Sequence, residues 1–88
     1  MTGPKSPNSV DRHVGARLAA LRKVRRLTQA ELARKLGVTT QQVQKYEKGM
    51  NRISAARLYQ IAAGLNVRLG YFFRDLIAPK AQGPKGRA

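Results

Sequence analysis

Four side chains in the middle of the sequence, Gln41, Gln44, Lys45 and Lys48, fall on one stripe when the segment is wound as a helix at 100° per residue. Two of them are amides and two are cations. A Gln can pair bidentately with adenine, a Lys can donate to guanine, and Thr40 just ahead can meet either a base or a thymine methyl. No acid lies on the stripe to repel a phosphate, because Glu47 sits off it, nearer Val43. Val43, Tyr46 and Met50 fall on the opposite side and are expected to anchor the helix. On most helices such a polar stripe is only a solvated face. It gains meaning from the elements that place it.

Groups for other chemistry are scarce. The chain has 88 residues, with 18 Lys and Arg against 4 Asp and Glu, a formal net charge of +14, one His and no Cys. There is no disulfide framework, thiolate metal site or cysteine nucleophile. One His and four acids leave few parts for an acid–base pair, so the expectation is a non-enzyme with no cofactor and no metal. No apolar run approaches the ~18 residues of a membrane span. The N-terminus lacks the apolar stretch of a secretory signal. A cytoplasmic protein with no membrane role is expected. The charge calls for a polyanion partner, nucleic acid first and an anionic membrane surface second.

The length suits one domain. Residues 1–10, with Gly3, Pro4 and Pro7, read as a flexible arm, and residues 79–88 as a flexible basic tail. The segment between them, 11–78, reads as helix almost throughout. Asp11 can cap a first helix over about 11–25, with Val14, Leu18 and Leu21 at helical spacing. Thr28-Gln29-Ala30-Glu31 is a capping-box pattern for a second helix, which carries Leu32, Ala33 and Leu36 and stops at Gly37. Thr39-Thr40-Gln41-Gln42 is another box and starts a third helix that ends near Lys48, before Gly49. Ser54 can cap a fourth, through about Gly64, with Leu58, Ile61, Ala62 and Leu65 inward. A fifth carries Leu69, Phe72, Phe73 and Leu76 and ends before Pro79.

The join between the second and third helices is the most informative feature. Val38 follows Gly37 directly, and Thr39 already caps the next helix. A Gly there permits positive φ and a sharp reversal. The small Ala33, one turn earlier, lets the third helix cross close to the second, with Leu36, Val38 and Val43 filling the angle. That is a helix-turn-helix arrangement, whose second helix can enter a major groove.

Leu27-Thr28-Gln29-Ala30-Glu31-Leu32-Ala33, then Leu36-Gly37-Val38-Thr39, then Tyr46-Glu47-Lys48-Gly49 resembles the Xre family of phage Cro/C1-type helix-turn-helix proteins. The resemblance covers roughly residues 14–77. It implies an all-α, five-helix, phage-repressor-like domain acting as a homodimeric transcriptional regulator of bacterial or phage origin. It implies that Thr40, Gln41 and Lys45 read bases, and Gln44, on the same stripe, is a candidate reader of a base or a phosphate. Gln29 would contact the DNA backbone at the start of the second helix, and Lys48, Asn51 and Arg52 would do so in the loop after the third. Arg22 matches an Arg that pairs with the Glu at position 47. Ile53 stands where some members carry a basic residue.

Arg17, Arg22, Lys23, Arg25 and Arg26 crowd the first helix and its end, where they supply long-range attraction to DNA as a group. His13 reads as incidental. Tyr71, Phe72 and Phe73 cannot all face inward on one helix, because successive residues lie 100° apart. With Leu69 they are the candidate dimer contact. The expected function is sequence-specific binding of double-stranded DNA at a palindromic operator, with steric repression. The rival reading is an antitoxin that holds a toxin protein and binds its own promoter. A second rival, unspecific polyanion binding, needs no such capped architecture.

Overall fold

The computed structural model describes residues 9–76. Among them the chain forms α1 (Ser9–Val24), α2 (Gln29–Leu36), α3 (Thr40–Glu47), α4 (Ala55–Gly64) and a 3-10 helix, Leu69–Phe73. The expected tail 79–88 and most of the expected arm lie outside the described residues. The domain begins earlier than its capping pattern predicts. Ser9 and Val10 are already helical, so Asp11 lies in the first turn of α1 instead of capping it.

The local signals at α2 and α3 act as their chemistry requires. The Thr28 hydroxyl accepts from Glu31 N at 3.0 Å, and the Glu31 carboxylate accepts from Thr28 N at 2.8 Å. The bond from Thr28 N, helped by the Thr28 side chain, holds the Glu31 carboxyl below its ordinary pKa. Gly37 takes φ 73°, and Val38 N reaches back to Ala33 O at 3.0 Å, closing α2 in a left-handed cap. The Thr39 hydroxyl accepts from Gln42 N at 3.0 Å; no return bond from the Gln42 side chain forms among the described residues, so the second box is half made. Ser54 caps α4 through Arg57 N at 3.0 Å. The α4 helix runs through Gly64 as expected, and the chain leaves it through Asn66, in the left-handed region at φ 57°.

The core is built from one stripe of each helix: Val14, Leu18 and Leu21; Leu32 and Ala33; Val43 and Tyr46; Leu58, Ile61 and Ala62; then Leu65 and Phe72. Leu27, Leu36, Val38, Ile53, Val67 and Tyr71 pack against it, partly buried. Met50 does not join them. It is 56% exposed, because α3 ends at Glu47 and Gly49, at φ 72°, turns the chain off the helical path before Met50 is reached.

The expected fifth α-helix is also corrected. Arg68 offers no side-chain cap, and the segment closes as a five-residue 3-10 turn, with Leu76 beyond it in irregular backbone. Such tight turns are used in short pieces. Here the turn drives Phe72 into the core, with Tyr71 edge-on to it at 5.0 Å between ring centroids.

Candidate nucleic-acid interface

The α3 helix is held from behind and open in front. Val43 and Tyr46 are buried beneath it, while Gln41, Gln44, Lys45 and Lys48 are exposed and Thr40 is half-buried at its first turn. The structure therefore brings the polar stripe together on a free face. The α2 and α1 helices pack against α3. The approach of α1 is close enough to require glycine. A Cβ added at Gly15 would collide with the carbonyl oxygen of Tyr46 and lie 2.9 Å from that of Glu47. At Gly49 an added Cβ would lie 2.7 Å from the Arg12 Cα, so the chain leaving α3 also runs against α1.

The end of α3 is tied to α1 and α2 by charge. Arg22 Nε donates to Glu47 Oε2 at 2.6 Å and Nη2 to Oε1 at 3.2 Å, while Nη1 donates to Leu27 O at 2.8 Å. Gln29 Nε2 adds a bond to Glu47 Oε1 at 3.0 Å. A carboxylate accepts only, so the Gln29 nitrogen must face it, and one amide hydrogen and the amide oxygen are left for another partner. Gln29, expected as a backbone contact, is thus also part of the support beneath α3.

In the loop after α3, Lys48 is exposed and Asn51 half-buried. Arg52 does not stand free. Its Nε lies 3.3 and 3.4 Å from the two carboxylate oxygens of Asp11, and Nη2 lies 3.3 Å from Oδ2. Asp11, expected as the cap of α1, is instead the partner of Arg52. The signal in the sequence is scarcity: with only four acids against 18 Lys and Arg, a cationic partner is to be expected for each of them.

The candidate dimer residues divide. Leu69 and Phe73 are exposed, but Phe72 is fully buried and cannot touch a partner while the domain is folded. Tyr71 is committed within the chain. Its hydroxyl donates to Arg17 O at 2.8 Å, Arg17 Nε donates to Tyr71 O at 3.1 Å, and the guanidinium stacks 4.2 Å from the ring centroid. His13 also has a local partner, Arg74 O at 2.8 Å from its Nε2. A cavity of about 320 Å³ opens on the flank of the domain, lined by Val10, Val14, Ile53, Leu58 and Phe73 together with Asp11 and Arg52. No residue of the α3 stripe lines it. No helix among the described residues is long and apolar enough to cross a membrane.

Residues 18–72 match a family described as helix-turn-helix. An uncharacterised transcriptional regulator in the ATPase CF(0) region of Rhodospirillum rubrum is 57% identical over 67 residues, which is 76% of this chain and 62% of that protein. An uncharacterised HTH-type transcriptional regulator of Sinorhizobium fredii, y4wC, is 49% identical over 73 residues, covering 83% of this chain and 51% of that one. The chain thus spans about half to three fifths of the length of these curated relatives. Among solved structures, the restriction-modification controller protein C.AhdI from Aeromonas hydrophila superposes with a TM-score of 0.70 at 26% identity, over 75% of this chain and 100% of that one.

Proposed function

The chain belongs to the Cro/C1-type helix-turn-helix family, and from that premise we propose that it binds double-stranded DNA sequence-specifically, as a transcriptional regulator whose α3 enters the major groove. The observation that carries this reading is the acid-free stripe of α3, exposed over a buried anchor of Val43 and Tyr46. Relatives named as transcriptional regulators and a neighbour named as a controller protein support it.

In this reading Thr40, Gln41, Gln44 and Lys45 meet base edges, and Gln29, Lys48, Asn51 and Arg52 meet the sugar–phosphate backbone. The first group sets preference, and the second sets register and affinity. Exposed cations elsewhere draw the domain to DNA at long range. One short helix reads too few base pairs to define a genomic site. We therefore take the working unit as a homodimer on a palindromic operator, with recognition helices about 34 Å apart. Leu69 and Phe73 remain the candidate contact. Repression is steric: the bound dimer excludes polymerase from the promoter. The place of action is the bacterial nucleoid or phage DNA.

The test is a protection experiment on the DNA upstream of the chain's own gene, followed by competition with random duplex. A protected palindrome that resists competition supports the proposal. Equal competition by every sequence overturns specific binding. Co-purification with a small toxin protein would favour the antitoxin reading instead.

A further inference from the structure

We propose that Asp11 is a positioning residue for DNA binding: it grips Arg52 by one edge of the guanidinium and so holds the loop after α3 in its phosphate-contacting form. The proposal rests on the reading of Arg52 as a backbone contact, and it adds to that site a residue from the far end of the domain.

Three observations carry it. The first is which donors are used. Asp11 takes Nε and Nη2, leaving the two Nη1 hydrogens uncommitted to the carboxylate. A guanidinium is a planar fork with five donors, so it can be clamped on one edge and still offer another to a phosphate. A free arginine would have to be ordered by the DNA itself, at the cost of its rotamer freedom.

The second observation is the asymmetry of burial. The Asp11 side chain is 10% exposed and that of Arg52 is 52% exposed. The carboxylate is the fixed end of the pair and the arginine the presented end. Asp11 sits in the first turn of α1, where the helix dipole favours its charge.

The third is a second fastening at the same place. Gly49 lies so close to Arg12 that an added Cβ would meet the Arg12 Cα at 2.7 Å and Cγ at 2.7 Å. The loop is therefore pinned to one turn of α1 at both Gly49 and Arg52, and the residues between them, Met50 and Asn51, are held by those two points.

The expected sign makes the proposal testable. Removing a negative charge from a DNA-binding protein ordinarily tightens binding, because phosphate repulsion is lost. Asp11→Asn should do the opposite. With the full chain and a random-sequence DNA duplex, Asp11→Asn weakens binding by roughly three- to tenfold and reduces the salt slope by about 1, the signature of one lost phosphate contact. Asp75→Asn is the control. Asp75 is exposed, its φ of 66° suits Asn, and the variant should bind equally or more tightly. Arg52→Lys keeps the charge but cannot be clamped and presented at once, so it should lose as much as Asp11→Asn. The double variant Asp11→Asn, Arg52→Ala should match Arg52→Ala alone. All assays are run well below the melting temperature of the weakest variant. Binding by Asp11→Asn as tight as wild type or tighter overturns the proposal, and so does a loss of affinity at unchanged salt slope, which would mark loop packing alone. Wild-type behaviour of Arg52→Lys overturns it too. A wild type with a flat salt slope would overturn the DNA reading itself, and this proposal with it.

Discussion

Glu47 receives Arg22 with both carboxylate oxygens, Oε2 at 2.6 Å from Nε and Oε1 at 3.2 Å from Nη2, at side-chain exposures of 7% and 13%. The pair joins α1 to the last residue of α3, behind the exposed polar stripe. Arg22 Nη1 also donates to Leu27 O, and Glu47 Oε1 also accepts from Gln29 Nε2. Removing one partner of such a pair strands the other, at about 3–5 kcal/mol. Glu47→Ala should therefore lower the melting temperature by at least about 10 °C for a domain of this size. Gln44→Ala, exposed on the stripe, should move it little. Equal shifts in a thermal denaturation experiment would refute a structural role for the pair.

Specificity should separate from affinity by residue. Gln41→Ala or Lys45→Ala should relax the preference at particular base pairs by about 1–3 kcal/mol per lost bidentate contact. Lys48→Ala should weaken operator and random DNA alike. For the wild type, six phosphate contacts give a log–log salt slope of roughly −5. Selection from a randomised duplex pool, with titrations at several salt concentrations, measures both. A uniform loss for Gln41→Ala across all sequences would remove it from the reading stripe.

Gly15 offers a test of the α1–α3 crossing with an unusual sign. In a helix interior Gly→Ala ordinarily stabilises by roughly 0.5–1 kcal/mol. Gly64, the last residue of α4, has nothing within 4 Å of an added Cβ and no positive φ, so Ala there should be neutral to stabilising. At Gly15 the added carbon meets backbone oxygens of Tyr46 and Glu47, which cannot rotate away as a side chain would. Gly15→Ala should therefore destabilise and shift α3, lowering DNA affinity, while Gly64→Ala holds or raises the melting temperature and binds normally. Stabilisation by both would show that the crossing is looser than described.

What was legible in the sequence was what local chemistry decides. The Thr28–Glu31 box, the Gly37 stop, the Thr39 and Ser54 caps and the inward stripes of α1 to α4 are set within a few residues, and pattern reading places them. The helical phase of α3 does not extend to Met50, because the chain leaves the helix at Gly49. An α-helical wheel does not predict the burial of Phe72, because the segment closes as a 3-10 turn. Asp11 and Arg52 are 41 positions apart; nothing short of the packed fold brings them together. The Arg22–Glu47 pair, 25 positions apart, was reached through family resemblance and not through spacing.

Dimerisation can now be tested with a cleaner pair of variants than the sequence offered. Phe72 is buried, so Phe72→Ala excavates the core and should cost about 3–5 kcal/mol of stability whether or not the protein is a dimer. Phe73 is exposed beside Leu69 on the 3-10 turn and lines the flank cavity with Val10 and Ile53. Phe73 is 41% exposed, so Phe73→Ala gives up only part of a packed ring and should lower the monomer's melting temperature far less than Phe72→Ala. If this turn is the contact between copies, light scattering should show Phe73→Ala shifted toward monomer at concentrations where the wild type is dimeric. Operator binding should then need more protein and become more cooperative in concentration, while each half-site is read as before. A Phe73→Ala protein that remains fully dimeric moves the interface elsewhere on the surface. A wild type that stays monomeric and occupies a single half-site with full affinity removes the dimer altogether.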